Sequence, residues 1–132
     1  MSYLFDSSAI FQAIKHNAVE HLAGNHTVEL ARYELSNILW KECALHERIT
    51  SNEMESLIDL VKRVLQTMSI IEINCNEKDI LSLAKKLKIT FYDASYAHCA
   101  KRFGMMLITE DLLLMERARS FVKTLKTRDI LL

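Results

Sequence analysis

The stretch Tyr3-Leu4-Phe5-Asp6-Ser7-Ser8-Ala9-Ile10 decides how the rest of the chain is read. Tyr3, Leu4 and Phe5 form a short apolar run of the kind a fully buried strand shows. Asp6 follows with no spacer. Ser7 or Ser8 can cap the helix that Ala9, Ile10 and Phe11 begin. A carboxylate at the C-terminal end of a buried strand stands where open α/β sheets place their ligands. Taken alone, Asp6 has a plainer reading as a helix cap. The functional reading requires other acids to arrive at the same edge.

Outward from this stretch, strand and helix patterns alternate. Residues 9–16 predict a helix, residues 18–23 a further turn stopped by Gly24-Asn25, and residues 27–30 a short strand. Residues 31–46 predict a helix with Leu35, Ile38, Leu39 and Ala44 on one face and Trp40 and Cys43 nearby. Thr50-Ser51-Asn52-Glu53 is a capping-box pattern opening a second helix, with a tight turn at Arg48-Ile49 between the two. Residues 69–73 predict a strand, after which Asn74 or Asn76 caps a helix carrying Ile80, Leu83, Ala84 and Leu87. Thr90 or Asp93 opens the next helix, which Gly104 ends. Residues 105–109 predict a strand, Asp111 begins a last helix, and residues 121–125 and 130–132 are weak terminal elements that include a short final strand. Helix-length connections between short apolar strands imply a parallel sheet covered on both faces. The expected fold is α/β, three-layered, with a mostly parallel sheet of about five strands, and residues 1–132 form a single domain.

Composition narrows the function classes. Half of the 132 residues are hydrophobic, enough for one real core. Two glycines and no proline leave little room for a flexible linker. The 17 basic and 17 acidic side chains cancel, which neither demands nor excludes nucleic acid. Cys43, Cys75 and Cys99 lack C-x-x-C spacing and are expected to be buried reduced thiols, as suits a cytoplasmic protein. The N-terminus has no basic region and no long apolar stretch, so no signal peptide and no membrane span is expected. The Met and aromatic residues fall at helical spacings and are assigned to the core. The five histidines show no H-E-x-x-H spacing and are assigned to surface or half-buried positions. There is no phosphate loop, no dinucleotide fingerprint and no nucleophile elbow.

The acids carry the chemistry. Asp6 and Asp111 each follow a strand, and in a parallel sheet the strand C-termini share one edge. Glu34 begins the helix after the next strand, and Asp93 stands at a helix start. Several carboxylates within a few ångströms repel one another and call for a cation. Mg²⁺ and Mn²⁺ prefer such oxygen ligands, and a bound metal can orient and acidify a water against a phosphodiester. Each acid alone has a plainer reading: Glu34 as a solvated helix acid, Asp93 and Asp111 as caps.

Four stretches together resemble the PIN-domain family, and within it the VapC toxin ribonucleases of VapBC systems. They are Tyr3 through Ile10, then Ala31-Arg32-Tyr33-Glu34-Leu35-Ser36-Asn37-Ile38-Leu39-Trp40, then Thr90-Phe91-Tyr92-Asp93-Ala94-Ser95-Tyr96, and Leu107-Ile108-Thr109-Glu110-Asp111-Leu112-Leu113. They span almost the whole chain in the family's order. The resemblance implies a Mg²⁺- or Mn²⁺-dependent ribonuclease with Asp6, Glu34, Asp93 and Asp111 as its acidic cluster. Asp6 and Asp93 would be the most direct metal ligands, Glu34 and Asp111 completing the set directly or through water. Ser7 and Thr109 would be supporting polar groups, and Asn37, one turn after Glu34, would hydrogen-bond into the site. It further implies an RNA substrate, a small antitoxin partner and a homodimer.

Other readings fare less well. A receiver-like phosphoacceptor module expects a paired acid at the first strand and a lysine after a late one, yet Glu110 follows Thr109. A haloacid-dehalogenase-like phosphatase expects Asp-x-Asp, and Ser8 stands in the second place. A catalytically silent PIN-like module that binds RNA or protein without cutting has the same sequence signature.

Overall fold

The computed structural model describes residues 2–130. Five parallel strands run β1 (Tyr3–Phe5), β2 (His26–Val28), β3 (Ser69–Ile71), β4 (Met106–Ile108) and β5 (Thr124–Leu125). Their order across the sheet is β3-β2-β1-β4-β5. The chain starts at the centre, moves outward to β2 and β3, then returns past β1 to β4 and β5. The direction therefore reverses between β1 and β4, and such a switch point opens a crevice at the strand C-termini. The pairing there is in tight register, Tyr3 with Met106, Leu4 with Leu107 and Phe5 with Ile108.

Among the described residues six α-helices flank the sheet: α1 (Ser7–Lys15), α2 (Leu30–Trp40), α3 (Ser51–Thr67), α4 (Glu77–Leu87), α5 (Phe91–Arg102) and α6 (Leu112–Ala118). Helices α1, α2 and α3 pack in succession. Helices α4 and α5 pair, and α5 lies against β1, β2 and β4. Right-handed crossovers place helices on opposite faces when the direction of winding reverses. The three-layer α/β/α fold expected from the alternation of elements is the one observed. Leu4, Phe5, Ile10, Leu35, Leu107 and Ile108 are fully buried and join the sheet to both helical layers.

Several local expectations are corrected. Asp6, not Ser7 or Ser8, caps α1, its Oδ1 accepting from the Ala9 amide at 2.9 Å. The expected helix over 31–46 ends as α-helix at Trp40 and continues as a π-turn over Lys41–Leu45. Asn76 starts α4 without a side-chain cap bond. Cys99 alone of the thiols is buried; Cys43 is half-buried and Cys75 exposed. Tyr33, Trp40, Tyr92 and Phe103 are each more than half exposed, so these aromatics do not belong to the core. Among the described residues nothing covers Tyr33 or Trp40 on the outward face of α2.

Other expectations hold. Thr50 and Glu53 form a complete capping box at α3. Thr90 caps α5, and Gly104, at φ +66°, takes the left-handed position just after it. The short last strand is β5, parallel to β4. Of the terminal stretch 130–132, Leu131 and Leu132 lie outside the described residues, as does Met1. Among the described residues no helix is long and apolar enough to cross a membrane.

Candidate active site

Asp6 leaves the end of β1 and is 4 % exposed. Its amide donates to the Ile108 carbonyl at 3.0 Å, continuing the β1–β4 ladder to the last residue before the crevice. The carboxylate is held on both oxygens. Oδ1 accepts from Ser8 Oγ at 2.6 Å and from the Ala9 amide at 2.9 Å. Oδ2 accepts from the Thr109 hydroxyl, which arrives from the end of β4. A buried carboxylate needs such partners, since an unsatisfied one is strongly disfavoured. Even so, burial pushes the Asp6 carboxyl up to about 7, and the Asp93 charge adds to the rise against the opposing hydrogen bonds.

Thr109 and Ser8 tie the two strand ends together. Their hydroxyls lie 3.3 Å apart, the Glu110 amide donates to Ser8 Oγ at 3.0 Å, and the Asp111 amide donates to Thr109 Oγ1 at 3.0 Å. Asp111 caps α6, its Oδ1 accepting from the Leu113 and Leu114 amides. Its other oxygen has no protein donor among the described residues. Glu110 turns away and is gripped by Thr127, through the amide at 2.8 Å and the hydroxyl at 2.6 Å.

Glu34, half-buried on the first turns of α2, is oriented from two sides. Ser7 Oγ donates to its Oε1 at 3.0 Å, and the Tyr96 hydroxyl donates to the same oxygen at 2.7 Å. Burial and the Glu34 charge push the Tyr96 phenol far above its ordinary range, so it remains a donor at any working pH. Asp93 stands in the first turn of α5, half-buried. Burial first, then the charges of Asp111 and Glu34, raise its carboxyl to about 6, against the lowering pull of the Thr90 hydroxyl. Asp93 thus senses Asp111 and Glu34, and Asp6 senses Asp93.

The four acids therefore share one electrostatic neighbourhood at the strand C-terminal edge, while among the described residues no three His, Cys, Asp or Glu side chains are gathered tightly enough to hold a metal ion as they stand. Of the polar groups singled out in the sequence, Ser7 meets Glu34 and Thr109 meets Asp6. Asn37 is exposed and makes no side-chain hydrogen bond among the described residues, so the expected bond into the site is not made. Sequence reasoning passed over Ser8, read only as a cap, and Tyr96, assigned to the core. A tyrosine three residues after Asp93 on one helical face, with a hydroxyl that must find a partner once buried, was the available signal for the second.

A reversed-direction parallel sheet whose switch point gathers buried and half-buried carboxylates defines a PIN-like α/β/α protein. No family model matches the chain. It is similar to two curated proteins of Pyrobaculum aerophilum. One is named Exonuclease VapC9, 30% identical over 124 residues, with 92% of this chain and 90% of that protein aligned. The other is named Ribonuclease VapC3, 37% identical over 108 residues, with 80% and 79% aligned. The crystal structure of PAE2754 from the same organism superposes with a TM-score of 0.83 at 28% identity, covering 99% of this chain and 87% of that one. The chain belongs to the VapC family of PIN-domain proteins.

Proposed function

We propose that this protein is a Mg²⁺- or Mn²⁺-dependent endoribonuclease, acting in the cytoplasm as the toxin of a toxin–antitoxin pair, with residues 1–132 as one domain. The observation that carries the reading is the gathering of Asp6, Glu34, Asp93 and Asp111 at the switch point, where burial first and neighbouring acids second raise the Asp93 and Asp6 carboxyls. Carboxylates kept together against their own repulsion favour a divalent cation. The donor set is hard oxygen throughout, which fits Mg²⁺ or Mn²⁺ rather than a softer ion. Asp6 and Asp93 would be the direct ligands, with Glu34 and Asp111 contributing directly or through water. Only Oδ1 of Asp111 accepts from the α6 amides, which leaves its other oxygen for that role.

A bound ion would supply an acidified water and offset charge on the phosphodiester. The chain's own groups do the rest. Thr109, Ser8 and the Ala9 amide fix Asp6, so its carboxylate cannot swing away when ionised. Ser7 and Tyr96 hold Glu34 Oε1 and leave Oε2 for the site. Asp93, half-buried in the first turn of α5 and raised by burial and by the Asp111 and Glu34 charges, would regain its ionised form when a cation offsets those charges. RNA as substrate is supported by the name of the VapC3 relative. An antitoxin partner and a homodimer are supported by the family resemblance.

A catalytically silent RNA- or protein-binding module is the competing reading, favoured by the absence of a ready-made three-residue metal cage among the described residues. Incubating a fluorescent RNA panel with purified protein in Mn²⁺, in EDTA, and with Asp6→Asn decides between them. Mn²⁺-dependent cleavage lost in the variant establishes the nuclease. Cleavage that survives Asp6→Asn or EDTA sinks it.

A further inference from the structure

A cleft of about 400 Å³ opens beside the acid cluster, at the C-terminal ends of β2 and β3 and under the first turn of α5. Leu30, Ile71, Phe91 and Tyr92 give it apolar and aromatic walls, and Glu72 and Asn74 stand at its rim. The helices that carry Glu34 and Asp93 thus also build this cleft. Successive residues of a helix lie 100° apart, so the first turn of α5 faces two ways. Phe91, Tyr92 and Ser95 line the cleft, while Asp93 and Tyr96 belong to the acid cluster. A ligand in the cleft is therefore one helical position from Asp93.

We propose that this cleft is the subsite for one unpaired RNA base next to the scissile phosphate, favouring a base with an exocyclic amino group on its Watson–Crick edge. The proposal rests on the nuclease reading. A phosphate does not suit the cleft, because Glu29 and Glu72 line it and no lysine or arginine does. A base does. Tyr92, 59 % exposed, offers a ring face on which a base can stack. The other polar groups are already committed: Ser95 Oγ donates to the Tyr92 carbonyl at 2.6 Å, and Glu29 is paired with Arg32 at 2.9 Å. Glu72 and Asn74 remain. Asn74 Nδ2 donates to Glu72 Oε2 at 2.9 Å, which fixes the pair and leaves Glu72 Oε1 and Asn74 Oδ1 as acceptors. Two acceptors side by side match an exocyclic amino group, which adenine, cytosine and guanine carry on that edge and uracil lacks.

The test uses fluorescein-labelled hexauridine and the same hexamer carrying one central A, C or G, titrated into the full chain in EDTA and followed by anisotropy. The A, C and G hexamers are expected to bind about tenfold tighter than hexauridine. Tyr92→Ala weakens every hexamer about tenfold, and Tyr92→Phe restores binding. Glu72→Ala removes the preference for A, C and G over U. Equal binding of all four hexamers, or wild-type binding by Tyr92→Ala, overturns the subsite whether or not the protein cuts RNA. Base discrimination that persists in a protein unable to cleave RNA with Mn²⁺ overturns the nuclease reading and leaves the base subsite standing.

Discussion

Two helix starts in this molecule use nearly the same local chemistry and end in opposite electrostatic states. At α3, Thr50 accepts from the Glu53 amide at 3.1 Å and Glu53 accepts from the Thr50 amide at 2.9 Å. At α1, Asp6 accepts from the Ala9 amide and from Ser8. Glu53 is exposed, and its hydrogen bonds, the Thr50 backbone first, hold its carboxyl below the usual range. Asp6 is buried between β1 and β4, and its carboxyl is pushed up to about 7 despite more hydrogen bonds. The difference lies in tertiary context, not in the local motif. The α3 capping box only starts a helix, whereas the α1 cap receives Thr109 from a strand a hundred residues away and senses Asp93 from α5.

The contrast can be broken experimentally, beginning with the largest expected effect. Asp6→Asn should lower Mn²⁺-dependent RNA cleavage about a thousandfold, the order seen when one essential electrostatic group is removed, while the circular-dichroism melt at pH 7.5 stays cooperative. The matching change, Glu53→Gln, should leave kcat/KM unchanged.

Stability in EDTA should move in opposite directions at the two sites. Asp6 and Asp93 have folded pKa values of about 7 and about 6, above the unfolded value. The native state therefore keeps protons that the unfolded state has lost, and the metal-free protein should lose stability as pH rises from about 4 to about 7, by on the order of 2–4 kcal/mol. Urea melts across this window check it, and Asp6→Asn or added Mn²⁺ should flatten the slope. A flat wild-type profile would mean that Asp6 is not held near neutrality.

Thr109→Val removes the donor to Asp6 Oδ2 and the acceptor for the Asp111 amide, at a cost of about 2 kcal/mol, measurable as a shift in the urea midpoint. Thr109→Ser should recover most of it. The smallest effect belongs to Glu53. Its folded pKa is lowered, so its contribution is present above the unfolded value and fades as pH falls through the folded one. Glu53→Gln should therefore narrow its stability gap to wild type in melts taken below about pH 4.

How legible the site was in the sequence follows from the same contrast. Asp6 and Asp111 were readable because each follows an apolar run, Asp6 directly and Asp111 after Thr109 and Glu110, and parallel pairing forces the ends of such runs onto one edge; Thr109 took its supporting role from the family resemblance. Their roles as caps and as members of the acid cluster turned out to be compatible rather than exclusive. Glu34 could be placed at the same edge because it begins the helix after the next strand, whereas Asp93 could be placed only at a helix start, and its part in the cluster came with the family resemblance, since nothing in an isolated helix start says which way it faces. Ser8 was obscured by its neighbour: either serine can cap, and only the tertiary partners tell them apart, α2 bringing Glu34 to Ser7 and the end of β4 bringing Thr109 and the Glu110 amide to Ser8. Trp40 and Tyr33 were misassigned because helical spacing shows which residues share a face without showing whether anything covers it. Asn37 failed for the same reason, lying one turn from Glu34 but on the solvent side.

The bond between Thr109 and Asp6 also sets a timetable. On the ribosome, β1 emerges before the other four described strands, and its partner on the crevice side is β4. The earlier elements can pack while still tethered, since β1, β2 and β3 are neighbours in the sheet. Until residues 106–109 have left the exit tunnel, however, Asp6 has no strand to close its far side and no hydroxyl on Oδ2. A nascent chain halted before that point carries the first acid of the cluster without the assembly that positions it, so translation itself withholds the site until β4 has been made.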